Sequence, residues 1–278
     1  VDVDLADEAL VGETVARNNI LGVELKFSDT VYNEKNIFLR ALTVKNDVDH
    51  ARTVKVFFGH EFELYESHRG DTAYFDPVHH VVVHYNGKRV FLINGASGLG
   101  SFDDFTTGIF NIEGKEGSFK DAEDGLLSKN LIEHGPTDSV LGFYLDLGPH
   151  EEKKIYYWVT VAESIKDALT LNAEVLLKRP DHMIRTTHDY WRAWVNKYNF
   201  SFYGLKEKEI SLFKKSLMIM RSHADSHGAI IASADSDMLQ NGRDTYNYMW
   251  PRDGALSAMA FNMGGDANVA ERFFEFCS

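Results

Sequence analysis

The hydrophobic period of this chain changes once, at about Glu163, and that break constrains the fold more than any motif does. Ahead of it, residues 1–162 hold short runs rich in β-branched and aromatic side chains, separated by turn signals. Ile20 to Phe27 alternates loosely, Asn36 to Lys45 carries Phe38, Leu42 and Val44, and Thr53 to Tyr65 continues with Val54, Val56, Phe58 and Phe62. Val78 to Tyr85 and Lys88 to Ile93 flank Asn86-Gly87, a pair that tolerates the positive φ of a type I′ turn and so reads as a hairpin. Leu141 to Leu147 and Lys153 to Val161 read as a second antiparallel pair joined through Gly148-Pro149. Many strands with no helical period between them predict a large antiparallel β-sandwich.

Beyond Glu163 the spacing becomes helical. Helices are expected over 165–178, stopping at Arg179-Pro180, over 182–196 with Ile184, Thr187, Trp191 and Trp194 on one stripe, and over 207–222 with Ile210, Phe213, Leu217 and Met220 aligned. The stretch 254–263 is nearly all apolar, which predicts burial on several sides, as in an inner position of a bundle or a double-layered helical barrel. A last helix starts near Asp266 and aligns Val269, Ala270, Phe273, Phe274 and Cys277, with no C-cap signal before Ser278. Together with a first residue that is Val rather than Met, this reads as part of a longer protein.

Composition narrows the function classes. With 42 acids against 29 bases the formal charge is -13, and the lysines near 206–215 are interleaved with Glu207 and Glu209. A phosphate backbone is repelled by such a surface, so nucleic acid is excluded as a partner and neutral ligands fit better. Cys277 is the only cysteine, so no intrachain disulfide or cysteine-based zinc site can form, and a reducing, cytoplasmic setting is expected. No apolar run approaches the roughly 18 residues of a membrane helix, so no membrane partner is expected. Asn199-Phe200-Ser201 matches a glycosylation sequon of the kind that arises by chance.

The chemistry-bearing region lies between the third and fourth helices, in His227 to Asp235 and Tyr246 to Gly254. Two tyrosines, Trp250 and an adjacent Arg252-Asp253 pair precede an apolar helix, with Pro251 suited to its first turn. Two readings fit the spacing alone. One is a helix entrance whose acidic first turn satisfies the macrodipole, with Arg252 in an ion pair. The other is a sugar site, in which Arg252 and Asp253 hold neighbouring hydroxyls through charge-assisted hydrogen bonds while Trp250 and Tyr248 wall the pocket.

Tyr246-x-Tyr248-x-Trp250-Pro251-Arg252-Asp253 resembles the first substrate-binding loop of the glucoamylase family of inverting glycoside hydrolases (family 15), in its bacterial and archaeal branch. Gly228-Ala-Ile-Ile-Ala-Ser233 is similar to the same branch, and so is the order of parts. The resemblance implies a supersandwich-like N-terminal domain over 1–162, linker helices over 163–204, and the first helices of an α/α barrel over 205–278. It implies inverting hydrolysis that releases glucose from the non-reducing end of α-glucans or α-glucosides. Arg252 and Asp253 would bind the terminal glucosyl unit, with Trp250, Tyr246 and Tyr248 shaping the subsite. Hydrolysis needs a carboxylic acid and a carboxylate base about 6.5–9.5 Å apart. In the family both are glutamates of later barrel helices, so no catalytic residue is assigned here and both are expected beyond Ser278, in the missing C-terminal part of the barrel. No cofactor is needed, because carboxylates handle the charge development. Trehalase and glucodextranase would share Arg252 and Asp253, and a noncatalytic carbohydrate-binding relative or an α-glucoside phosphorylase are further alternatives.

Other constellations carry less. If strand geometry runs through His80 and His84, the two share a face but stand about 13 Å apart, too far for one zinc ion, and read as strand surface. His223-Ala-Asp-Ser-His227 reads as histidines beside a helix C-terminus rather than as a zinc pair. Gly95-Ala-Ser-Gly98-Leu-Gly100 lacks the Lys-Ser/Thr of a phosphate loop and reads as a flexible loop. Asp235, Asp237 and Asp244 lack the spaced oxygens of a calcium loop, and no Gly-x-Ser-x-Gly elbow occurs. No metal is assigned.

Overall fold

The computed structural model describes residues 1–62, 64–66, 70–98, 100–198, 200–234 and 247–278. They form two compact units, one of residues 1–4 and 11–187, the other of residues 5–10 and 188–278. The first is the β-rich unit that the period predicts. Its strands are β1 (Asp2–Leu5), β2 (Gly12–Asn18), β3 (Val23–Val31), β4 (Ile37–Asn46), β5 (Arg52–Glu61), β6 (Thr72–Asp76) and β7 (Val81–Asn86). They continue as β8 (Arg89–Ser97), β9 (Gly100–Ser101), β10 (Asp104–Ile109), β11 (Ile132–His134), β12 (Thr137–Leu147) and β13 (Glu152–Ala162). A large sheet runs β1-β2-β3-β4-β13-β8-β7-β6-β11, with β9 on β8, and a three-stranded sheet runs β10-β12-β5. Large antiparallel sheet, smaller antiparallel sheet: this is a sandwich.

Alternation along each strand sorts side chains between the layers. Ile155, Tyr157 and Val159 of β13 face the sandwich interior with Leu42, Ile93, Phe58, Leu141 and Phe143. Trp158, from the other face of β13, packs with Leu39, Val175 and Met183 under two helices, α1 (Ile165–Lys178) and α2 (Pro180–Val195). α1 starts at Ser164, whose hydroxyl accepts from the Asp167 N–H at 3.1 Å. It is fixed to the sheet by polar contacts as well as apolar ones. The Asn172 carboxamide oxygen, buried, accepts from Trp158 Nε1 at 2.9 Å and from Asn94 Nδ2 at 3.1 Å. The Thr160 hydroxyl donates to the Ala168 carbonyl at 3.1 Å.

Three sequence expectations change. β12 and β13 do not pair: β12 lies between β10 and β5, β13 between β4 and β8, so Gly148-Pro149 crosses from one sheet to the other. Both strands are buried on both faces, and that pattern does not say which neighbour a strand takes. The β7–β8 hairpin is present, but Asn86 pairs with Arg89, so the turn is Gly87-Lys88 with Gly87 at φ 52°. A turn with glycine first and only that residue at positive φ belongs to the II′ class rather than I′. Gly95, Ala96 and Ser97 complete β8 and pair into β13 or β9, so the glycine-rich stretch is mostly strand rather than loop.

The histidine reading also changes. His80 sits in the turn before β7, at φ 52°, and stacks on Phe102 with centroids 4.3 Å apart. His79 is bonded to Asp76 at 2.7 Å. His84 is not surface: it is buried between the sheets, where its Nε2 meets Ser139 Oγ at 2.8 Å. His60 Nδ1 reaches the same hydroxyl at 3.0 Å, while its ring stacks on Tyr157 at 5.7 Å. One serine hydrogen cannot serve two acceptors, so at least one of the rings presents an N–H to the Ser139 oxygen. His60 Nε2 and His84 Nδ1 are left buried without a partner among the described residues. Burial holds both rings neutral, pushing each pKa from 6.5 down to about 3.

The unfolded rings therefore take up protons that the folded rings refuse. Stability is fully present above about pH 6.5 and is lost as pH falls toward 3, with a slope of up to about 1.4 kcal/mol per pH unit for each ring. Urea unfolding at pH 7.0 and 5.5 is expected to show this loss, and His84→Gln to halve its slope.

Candidate functional site

The helical unit brings the motif region together. Its elements are the second half of α2, then α3 (Glu207–Ser222), α4 (Pro251–Met263) and α5 (Ala267–Cys277). Residues 5–10 belong to this unit, and Glu8 bonds Lys214 and Asn196 there. The Lys214 ammonium on its carboxylate holds the Glu8 pKa below the usual range. α3 ends on His223, whose Nδ1 lies 2.9 Å from the Ile219 carbonyl oxygen, as an N–H donor would. This is the helix-terminal position expected for that histidine, and no group of three or more His, Cys, Asp or Glu among the described residues is placed to hold a metal.

The chain then reverses through Asp225, whose carboxylate accepts from the His227 and Ala229 N–H groups, both at 2.9 Å. Gly228 takes φ 99°, and its α-carbon lies against the Arg272 carbonyl of α5, where no side chain fits. Ala224 bridges Ile230, Ile231 bridges Met249, and the Ala232 N–H donates to the Tyr248 carbonyl at 3.0 Å. These short antiparallel contacts carry Tyr248, Met249 and Trp250 to the start of α4. Trp250 is its N-cap residue in extended conformation, Pro251 opens the helix, and Arg252 and Asp253 follow in the first turn. Gly254 lies directly on the Phe273 ring, so α4 and α5 approach closely in a core of Ile230, Ala258, Phe261, Val269, Ala270 and Phe273.

Of the five site residues read from the sequence, four are described, and Tyr246 lies outside the described residues together with Asp235, Asp237 and Asp244. Arg252 and Asp253 are both exposed, and neither side chain makes an ion pair or hydrogen bond among the described residues. Tyr248 and Trp250 are also open to solvent, at 52% and 44% exposure. Asp253 lines a hollow of about 330 Å³ with Leu256 and Ser257 of α4, Ile219 and Met220 of α3, its cap residue His223, and Ile230 to Ala232. His223, read from the sequence as a helix-terminal histidine rather than half of a zinc pair, lines the same hollow as Asp253 once the chain reverses at Asp225. Arg252 does not line this hollow.

The burial on several sides expected of α4 is not seen among the described residues: Leu256, Met259 and Met263 are exposed, Met263 at 80%, while Gly254, Ala255, Ala258 and Phe261 carry the packing. Phe274 of α5 is exposed as well.

No protein-family model matches the chain. An uncharacterized glycosyl hydrolase of Methanocaldococcus jannaschii is 25% identical over 280 residues, covering 98% of this chain and 43% of that protein. The crystal structure of a bacterial glucoamylase complexed with acarbose superposes with a TM-score of 0.79 at 17% identity, over 98% of this chain and 40% of that one. The chain thus spans about two fifths of the length of each. The sandwich-plus-helices fold is the one shared with glucoamylase, in keeping with the resemblance read from the motif.

The two tight glycines are the means by which the motif is held. Gly228→Ala and Gly254→Ala are each expected to cost about 2 kcal/mol or more, from positive-φ strain plus backbone clash at one and overpacking on Phe273 at the other. Thermal denaturation of each variant checks this, with Gly98→Ala as a control at a position with open space but positive φ.

Proposed function

We propose that this chain is the N-terminal part of a glucoamylase-like glycoside hydrolase that releases glucose from the non-reducing end of α-glucans or α-glucosides with inversion. In this reading residues 1–162 are the sandwich domain, 163–204 the linking helices and 205–278 the opening of an α/α barrel. The observation that carries it is the Arg252-Asp253 pair. Two adjacent charged side chains stand exposed at the start of α4, with no hydrogen bond or ion pair among the described residues, on a chain that shares the glucoamylase fold over nearly its whole length.

Such a pair suits the terminal glucosyl unit. The guanidinium donates and the carboxylate accepts, so vicinal hydroxyls, each both donor and acceptor, satisfy the two at once. Asp253 lies in the first turn of α4, where the helix macrodipole favours its negative charge. Tyr248 and Trp250 offer aromatic surface to the apolar faces of the ring. The acid and base that cut the bond would come from later helices. The exposed apolar face of Leu256, Met259 and Phe274 supports that arrangement, since further barrel helices would cover it.

Arg252→Ala or Asp253→Ala in the full-length protein is expected to lower kcat/KM by at least about a hundredfold, the loss of one charge-assisted contact worth about 3 kcal/mol. The assay uses maltose, isomaltose, dextrin and trehalose in parallel, which also identifies the preferred linkage. Residues 1–278 alone are expected to show no turnover. A near wild-type rate from both full-length variants would place the sugar site elsewhere.

A further inference from the structure

Within the sandwich unit, at the end of the large sheet where β13 runs out, a hollow of about 970 Å³ opens to solvent. None of its lining residues belongs to the helical unit. Phe91 and Val161 form an apolar floor, and Leu171 of α1 closes one side. Tyr65 is also part of the lining, 45% exposed and held at φ 54°. The Arg89 guanidinium lies 4.1 Å from its ring centroid and fixes the ring in place by a cation–π contact. A left-handed tyrosine is an unfavourable conformation for a side chain that packs into no core.

The lining carries charge of both signs. Glu34 is occupied by the Tyr32 hydroxyl and Lys178, and Asp167 by the Ser164 hydroxyl at 2.6 Å. Lys35, Asn36, Lys88 and Glu163 have side chains with no hydrogen bond or ion pair among the described residues. An anion entering here meets Glu163, Glu34 and Asp167; a cation meets Lys35, Lys88 and Arg89. A neutral ligand with apolar ring faces and many hydroxyls suffers neither repulsion, and it can use the donors, the acceptors and the aromatic ring together. The volume lies within the range of about 300–1,000 Å³ usual for ligand sites.

We propose that this hollow is a second carbohydrate site, on the sandwich, which binds a neutral oligosaccharide with Tyr65 as its stacking platform and Lys88 and Glu163 as hydroxyl partners. The proposal rests on the functional reading above only for the choice of an α-glucan as probe. A site of this kind, built from residues of the sandwich unit alone, holds a glucan without consuming it.

The test is calorimetric titration of maltoheptaose into the full-length protein carrying Arg252→Ala and Asp253→Ala, which removes the two charged contacts of the proposed glucosyl subsite. Binding is expected to persist in this background. Adding Tyr65→Ala, or Lys88→Ala with Glu163→Gln, is expected to weaken it at least about tenfold. The Lys88 and Glu163 changes are on exposed side chains, so they keep the test valid if the Tyr65 variant does not fold. No maltoheptaose binding in this background, or binding that neither set of changes weakens, would overturn the proposal, as would tighter binding of inorganic phosphate lost with Lys88. Hydrolysis by the protein with Arg252 and Asp253 intact is expected to survive the sandwich substitutions on maltose, which separates failure here from failure of the catalytic reading.

Discussion

β13 is buried on both faces, and the architecture of the sandwich unit follows from that. Its one face closes the space between two sheets and its other face lies under α1 and α2, so a single strand must satisfy two cores at once. A strand in that position cannot spend one face on water, which is why the usual polar alternation is missing from Ile155 to Thr160. Covering the large sheet from both sides also explains how α1 can follow directly on β13 with only Glu163 and Ser164 between them.

The cost of a strand buried twice is the polar groups it takes inside. On the helix side the cost is met: Asn172 accepts from both Trp158 and Asn94, and Thr160 reaches a carbonyl of α1. These bonds have direction, so they set the rotation and register of α1 on the sheet in a way that Leu and Val contacts do not. Between the sheets the arrangement is less complete. Ser139 joins His60 to His84, but each ring retains an unpartnered nitrogen among the described residues. Such a site tolerates neutral imidazole and resists charge, which makes the sandwich interior sensitive to acid in a way that an all-aliphatic interior is not.

In the helical unit the close approach of backbones does the positioning. Gly254 on Phe273 and Gly228 on the Arg272 carbonyl draw the 228–232 segment and the start of α4 onto α5, and the short bridges at Ile230 and Ile231 then align Met249. Arg252 and Asp253 stand exposed because the residues around them, not they, carry the packing. The same economy leaves Leu256 and Met259 open. A segment made this way leaves polar and apolar side chains alike open to solvent.

Local signals in the chain were sufficient for a good deal. The switch from β to helical period, the Gly87 hairpin, the stop at Pro180 and the Trp250-Pro251-Arg252-Asp253 turn are each set by residues within a few positions of one another, so their physics is written in order along the sequence. Strand partnership is not local. Nothing in β12 or β13 distinguishes pairing with each other from pairing in separate sheets, because two strands buried on both faces look alike. His84 and His80 lie four residues apart with similar neighbours, and only the start of β7 at Val81 sends one inside and leaves the other in a turn. The hollow at Tyr65 draws on positions from 34 to 171, and its chemistry exists only once β4, β8, β13 and α1 have been brought side by side. Composition and period determined which elements form and where the Trp250-Pro251-Arg252-Asp253 turn opens a helix; the tertiary structure alone decided which polar groups are buried and which converge, because desolvation depends on distant neighbours and not on adjacent ones.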